Sequence, residues 1–289
     1  MFFILPIGSD QAVYSRPYIT YAIAALCVLV HIWGVMTTDR HAVAINESAQ
    51  AFFQELELDR NARIDPEVAA DLPANVRGEL APWIADDPDD PTIDEPLTEA
   101  AAVFGAAVGQ LPFIKLGYVP ADNGLLTLAT YQVVHGGWMH LIGNVLFLLV
   151  AGGVLECFWR NWAYLGLFLL SGIGGALLHG AVTSDPGMPL VGASGSIAGL
   201  MAGFLLGHAR TRIHLMVIVW LLIFIRSFRV SIVAMYLIPI WAAFQVWSLV
   251  TDTTGTVSYG AHVGGFVVGL VLWFVADRAG LIARDAGYA

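Results

Sequence analysis

Charge is what this sequence has least of. Only 12% of its 289 residues are Asp, Glu, Lys or Arg, against 57% hydrophobic, and the mean hydropathy is +0.71. A soluble domain carries about 25% charged residues. At this length there is too little charge here to clothe a water-exposed surface. The same figures exclude a disordered chain, a collagen-like repeat and a disulfide-stapled secreted domain. Cysteine is nearly absent. Cys27 and Cys157 both sit in or beside apolar runs, where a disulfide is not expected. No basic patch points to nucleic acid, and no internal repeat is visible. The first apolar run follows Arg16-Pro17 without a small-residue cleavage site, so it reads as a retained span rather than a signal peptide.

What remains is a polytopic membrane protein. Crossing a bilayer takes about 20 mostly apolar residues. Six stretches are expected to do so: 19–36, 140–158, 163–182, 193–208, 230–250 and 261–276. Residues 214–225 are also apolar, but about 12 residues is too few to cross. Arg226 and Arg229 follow them. An interfacial segment or a re-entrant hairpin fits that piece better than a seventh span.

The net charge of −10 belongs to one region. Thr38 to His135 holds 17 of the 23 acids and five of the 13 bases, a net −12, which leaves the rest of the chain at +2. Lys and Arg collect in short loops on the cytoplasmic side. With six spans and a cytoplasmic N-terminus, Arg16, Arg160, Arg210, Arg212, Arg226, Arg229, Arg278 and Arg284 fall inside, while the short outer loops 183–192 and 251–260 contain no base. A long polar segment can translocate regardless of its charge, so the acidic insert is placed outside. The expected organisation is therefore an N-terminus and first span (1–37), an acidic extracytoplasmic insert in loop 1 (38–127), a core of spans two to six (128–278) and a cytoplasmic tail (279–289). Within the insert, Asp65-Pro66-Glu67 reads as a helix start, with Asp65 as the cap and Pro66 in the first turn. Short amphipathic helices and partial disorder both fit residues 55–99.

Few polar groups interrupt the spans, and those few are placed suggestively. Gly192-Ala193-Ser194-Gly195-Ser196 opens the fourth span. A serine between small residues at a loop-to-helix junction can expose its hydroxyl, and the helix start offers free N–H groups to an oxyanion. Simple capping or packing would explain the same residues. Gly195, Gly199, Gly203 and Gly207 recur every four residues and share one helical face. The sixth span carries Gly265 and Gly269. Small residues at this spacing let helices approach closely in lipid, either for bundle packing alone or to bring the fourth and sixth helices together near Ser194.

His262 lies at the outer start of the sixth span, level with Ser194 at the start of the fourth. A serine needs an adjacent base to act as a nucleophile. His140 and Asn144, at i and i+4, share a face of the second span. Intramembrane polar groups are costly and are functional candidates by default; both can donate to an oxyanion, or else bond across helices. His135 and His140 are five apart and lack the Glu of an H-E-x-x-H motif, so no metal site and no cofactor are expected. Glu156, beside Arg160, is expected to pair or anchor at the inner end of its span. Trp138, Trp159 and Trp162 fit an interfacial belt.

Taken in order, His135-Gly-Gly-Trp-Met-His140-Leu-Ile-Gly-Asn144, Gly192-Ala-Ser194-Gly195 and Ala261-His262-Val-Gly-Gly265 resemble the rhomboid family of intramembrane serine proteases. The resemblance covers the six-helix core, about two-thirds of the chain. It implies an all-α, six-transmembrane-helix bundle in which Ser194 is the nucleophile and His262 the general base. Asn144, His140 and the Ser194 N–H would hold the oxyanion, and Gly192 and Ala193 would border the substrate strand. The implied partners are transmembrane protein substrates within a lipid bilayer, and the compact plan suggests a bacterial inner membrane. Two departures stand out. Many relatives place an aromatic four residues after the nucleophile, stacked on the base, where this chain has Ala198. Many also carry a Trp-Arg pair in the first outer loop, which is missing here. An inactive rhomboid-like membrane-protein escort is the alternative. A transporter is disfavoured, since there is neither a repeat nor a mid-span carboxylate.

Overall fold

The computed structural model describes residues 2–13, 15–122, 124–221, 224–252 and 257–283. Arg284 and residues 253–256 of the last expected outer loop lie outside the described residues. In chain order the elements begin with β1 (Phe2–Ser9) and α1 (Tyr18–Leu58). Five short helices follow: α2 (Pro66–Ala70), α3 (Ala74–Leu80), α4 (Glu95–Gly109), α5 (Pro112–Leu116) and α6 (Thr127–Thr130). Next come α7 (Trp138–Phe147), a π-helical turn at Leu148–Gly152, α8 (Gly153–Glu156), α9 (Asn161–Val182) and α10 (Ser194–His208). The chain closes with β2 (Arg212–Leu221), β3 (Phe224–Val233), α11 (Ala234–Thr251) and α12 (Tyr259–Arg278).

Among the described residues, five helical segments are long and apolar enough to cross a membrane: Tyr18–Leu58, Trp138–Glu156, Asn161–Val182, Ala234–Thr251 and Tyr259–Arg278. The remaining expected span is α10. Its 15 residues extend only about 22 Å at 1.5 Å per residue, against a hydrocarbon core of about 30 Å. It is enclosed instead: the ten residues from Gly195 to Phe204 are all buried. A helix with no polar face is stable where protein surrounds it on every side. At the other extreme, α1 runs 41 residues, well past the expected end at Met36. Neither Gly nor Pro occurs between Thr37 and Leu58, and Ala, Glu, Gln and Leu sustain the helix there.

The described chain falls into two compact units. The first takes the chain up to Leu29, then His135–Thr183, then Gly192 onward. Its helices are joined by backbone-level contacts among α9, α10 and α12. One of its fixing points is Glu156, which is buried. The carboxylate accepts from Ile19 N at 2.8 Å, Thr20 N at 2.7 Å and Thr20 Oγ1 at 2.8 Å. Glu156 therefore anchors the span as expected, but by capping the orphan N–H groups of α1. Thr20 Oγ1 also meets Tyr164 OH at 2.8 Å. Cys27 and Cys157 are both buried free thiols. Trp138 and Trp162 are exposed, as a belt requires, but Trp159 is only 2% exposed and belongs to the core.

The expectation of an all-α fold needs correction. Residues 212–221 and 224–233, where an interfacial segment or a re-entrant hairpin was expected, are extended strands and not a span. They supply β2 and β3, which join β1 in an antiparallel sheet of order β1-β2-β3. Ile4 pairs with Val217, and Ile213 with Ile232. The physical reason lies in the residues. Ile213, Val217, Ile218, Val230, Ile232 and Val233 are β-branched and favour a pleated surface. A segment too short to cross must still pair its backbone groups, and a hairpin edge against β1 does so. The register shifts between Pro6 and Gly8, where proline has no N–H to give to the ladder.

The second unit comprises 30–134 with 184–191. It has its own core, centred on Phe52, Ile64, Leu72, Leu80, Leu97 and Val108. Residues 55–99 take the folded alternative. Asp65 caps α2 by accepting from Glu67 N at 2.8 Å, with Pro66 in the first turn. Asp94 caps α4 in the same way through Leu97 N at 2.8 Å. Tyr118 and Leu190 exchange backbone hydrogen bonds of 3.0 and 2.8 Å, which brings 184–191 to this unit.

Candidate active site

The site residues expected from sequence all lie in the first unit. Gly192 has φ +117°, a left-handed conformation that favours glycine. It also has no room for a side chain. A Cβ there would lie 2.7 Å from both Cε1 and Nε2 of His140, and 3.6 Å from Asn144 Nδ2. The i, i+4 pair on α7 therefore converges on the loop two residues before Ser194. Ala193 is buried at the N-cap of α10, and Ser194 is the first helical residue, half-buried. The N–H groups of that first turn have no intrahelical acceptor.

Asn144 and His140 differ in setting. His140 is exposed, with its ring 5.1 Å from that of His135, edge to face. Asn144 is buried, and its Nδ2 meets no acceptor among the described residues. A buried donor left unpaired is costly, and such exceptions call for an explanation. The π-helical turn starts four residues later, at Leu148; π-bulges are frequent at functional sites.

The glycine faces meet as the spacing suggested. A Cβ on Gly265 would fall on the carbonyl oxygen of Gly195, and one on Gly269 would lie 2.5 Å from Gly199 Cα. Both numbers rise together along the pairs, so α10 and α12 run parallel and in register. Ser194 precedes Gly195 by one residue and His262 precedes Gly265 by three. Their heights along the helix axes thus differ by two residues, about 3 Å. Glycines on α9 complete the packing: Gly175 abuts the Ala261 carbonyl, and Gly174 the Gly264 backbone. The run Gly172-Ile-Gly174-Gly175 was a readable signal of this third glycine face.

His262 is half-buried on the first turn of α12. Its Nδ1 lies 2.7 Å from Gln245 Oε1 on α11. The Trp241 ring is 6.0 Å away at 38°, and the Tyr259 ring 6.3 Å away and perpendicular. Among the described residues, Ser194 and His262 share no hydrogen bond. Such contacts are often loose in an empty site and tighten with substrate. Sequence reasoning missed Gln245 and Trp241. Gln245 carried a signal, as a lone amide inside an apolar span. No three His, Cys, Asp or Glu side chains among the described residues converge to hold a metal ion.

A family model described as the Rhomboid domain matches residues 122–278, which include His140, Asn144, Gly192, Ser194, Gln245 and His262. The chain belongs to the rhomboid family. Among curated relatives, Rhomboid-related protein 1 of Caenorhabditis elegans is 29% identical over 146 residues, covering 50% of this chain and 38% of that protein. Rhomboid-like protease 5 of Toxoplasma gondii is 30% identical over 156 residues, covering 54% of this chain and 17% of that protein. Rhomboid-related protein 2 of Mus musculus is 38% identical over 78 residues, 26% of this chain and 24% of that protein. The chain thus matches well under half the length of each. The rhomboid match leaves most of the acidic insert outside it.

Proposed function

We propose that this rhomboid is an intramembrane serine endopeptidase that cleaves transmembrane segments of substrate proteins near the outer membrane face. The observation that carries the reading is the convergence on Gly192, two residues from Ser194, of His140 and of Asn144, whose Nδ2 meets no acceptor among the described residues. A buried donor aimed beside a helix N-terminus suits a developing oxyanion. The glycine register, in which His262 and Ser194 differ by about 3 Å in height, supports His262 as the base.

In this reading a substrate segment lies beside Gly192 and Ala193 with its backbone unwound, which is tolerated at membrane depth only against protein or water. His262 Nε2 takes the Ser194 hydroxyl proton as Oγ bonds to the carbonyl carbon. The negative oxygen is held by Asn144, His140 and the Ser194 N–H. The C–N bond then breaks, with His262 returning the proton to the leaving amine. Water, deprotonated by His262, attacks the acyl carbon; the acyl C–Oγ bond breaks, and His262 returns the proton to Ser194 Oγ. α10 serves as the sixth, enclosed span. The arginine distribution supports a cytoplasmic N-terminus and an extracytoplasmic insert, in a bacterial inner membrane or another of the same polarity.

A second reading is an inactive escort of membrane clients, favoured by Ala198 where many relatives place an aromatic on the base. Full-length protein in proteoliposomes with a reporter span separates the two. Cleavage abolished by Ser194→Ala and by His262→Ala supports the protease. Client binding by a wild type that neither cleaves nor reacts with a fluorophosphonate supports the escort.

A further inference from the structure

The base histidine has a partner on a helix that contributes none of the expected site residues. Gln245 is only 4% exposed on α11, and its Oε1 lies 2.7 Å from His262 Nδ1. The amide orientation follows from its other end, since Nε2 donates to the Trp241 carbonyl of its own helix at 3.5 Å. The oxygen is thus the atom presented to His262, and an amide oxygen only accepts. Nδ1 must then carry the proton, which leaves the Nε2 lone pair uncommitted.

We propose that Gln245 is the positioning residue of the base: by accepting from Nδ1–H it holds His262 in the tautomer whose Nε2 can take the Ser194 proton. The proposal rests on the protease reading and deepens it. Trp241, one turn earlier on α11, lies 6.0 Å from the same imidazole and limits its rotation. Together they supply from α11 what Ala198, buried on α10, has no ring to supply. Other titratable side chains around this end of α12 are His140 on α7, Tyr259 on α12 itself and His179 on α9, whose backbone packs against Gly260. An uncharged amide suits the location. It selects the tautomer without placing a carboxylate inside the bundle, where ionised groups are expensive.

The test compares Gln245→Leu and Gln245→Glu with wild type, as full-length protein cleaving a reporter span in proteoliposomes. Leucine removes the acceptor. It should lower kcat by about 10–10³-fold, less than the ~10⁴ lost when a catalytic histidine is held in the wrong tautomer, with KM little changed. Glutamate keeps an acceptor. It should exceed the leucine variant at least ten-fold and move the acid limb of the pH–rate profile to higher pH, because its charge favours the imidazolium. A purely structural role would not move that limb. Nitrogen NMR of labelled His262 in Ser194→Ala reads the tautomer without any turnover, and a protonated Nδ1 is expected.

A folded leucine variant with kcat within two-fold of wild type overturns the proposal. So does a glutamate variant no better than leucine, or an unprotonated Nδ1. If the leucine variant does not fold, the glutamate variant and the NMR measurement decide. A wild type that cleaves nothing and takes no fluorophosphonate refutes the protease reading, and the NMR result then stands apart from it.

Discussion

Gly265 and Gly195 touch backbone to backbone, with the space for a Gly265 side chain already filled by the Gly195 carbonyl oxygen. This contact fixes the height of His262 relative to Ser194. Backbone cannot yield as a flexible side chain can, so Gly265→Ala must push α12 away from α10. Overpacking of this kind costs about 1–3 kcal/mol. We predict a lower unfolding temperature in detergent and a loss of cleavage larger than the stability loss explains. Gly166→Ala on α9 is the control. Nothing lies within 4 Å of its added Cβ, so stability should hold or rise through better helix propensity. Equal effects from the two variants would remove the contact from the account.

Asn144 should show the opposite balance. Its Nδ2 is buried and unpartnered among the described residues, so replacing the amide by an apolar side chain of similar size relieves an unsatisfied donor. Asn144→Leu is expected to unfold at the wild-type temperature or above it. Loss of an oxyanion donor should meanwhile lower kcat by about 10²–10³-fold. A variant that is both destabilised and fully active would show that the amide serves packing.

Gly192→Ala tests the loop. The new side chain meets a left-handed φ of +117° and the His140 ring at 2.7 Å. Strain at such positions costs about 1–3 kcal/mol. Reporter cleavage should fall sharply, while a His140→Ala background should restore part of the stability lost. Additive losses in the double variant would argue against the contact.

Glu156 tests the fold without touching the chemistry. Its carboxylate closes the N-terminus of α1 through Ile19 and Thr20. Hydrogen bonds to charged groups contribute about 1.5–3 kcal/mol. Glu156→Ala should therefore lower the unfolding temperature, with Glu156→Gln intermediate. Thermal unfolding in detergent checks both, and the fraction that remains folded should keep its kcat.

The parts of this molecule legible in the sequence share a cause. Five of the six expected spans announced themselves by length and apolarity, and the i, i+4 rule put His140 with Asn144 and picked out a glycine face on each of α10 and α12, whose pairing needed the fold. The Asp65 cap was readable because capping is local. What escaped depended on partners distant in sequence. Residues 214–225 looked like a failed span because β1, which pairs with them, lies some 200 residues earlier. Glu156 was legible as an anchor, but its partners, the Ile19 and Thr20 N–H groups and the Thr20 hydroxyl, lie some 136 residues earlier. Gln245 went unread because its side-chain partner, the imidazole of His262, lies on the next helix. Ala198 showed that the usual support was missing, but its replacement needed the fold.

The central claim is that Ser194 is a nucleophile activated by His262. The most direct measurement is active-site labelling of the full-length protein in proteoliposomes by a fluorophosphonate, with the modified residue identified by mass spectrometry. Reporter-span cleavage is followed in the same preparation. The account predicts a single label on Ser194 that is lost in His262→Ala, with cleavage lost in step. Cleavage that survives Ser194→Ala, or labelling of Ser194 that is unchanged without His262, would contradict it.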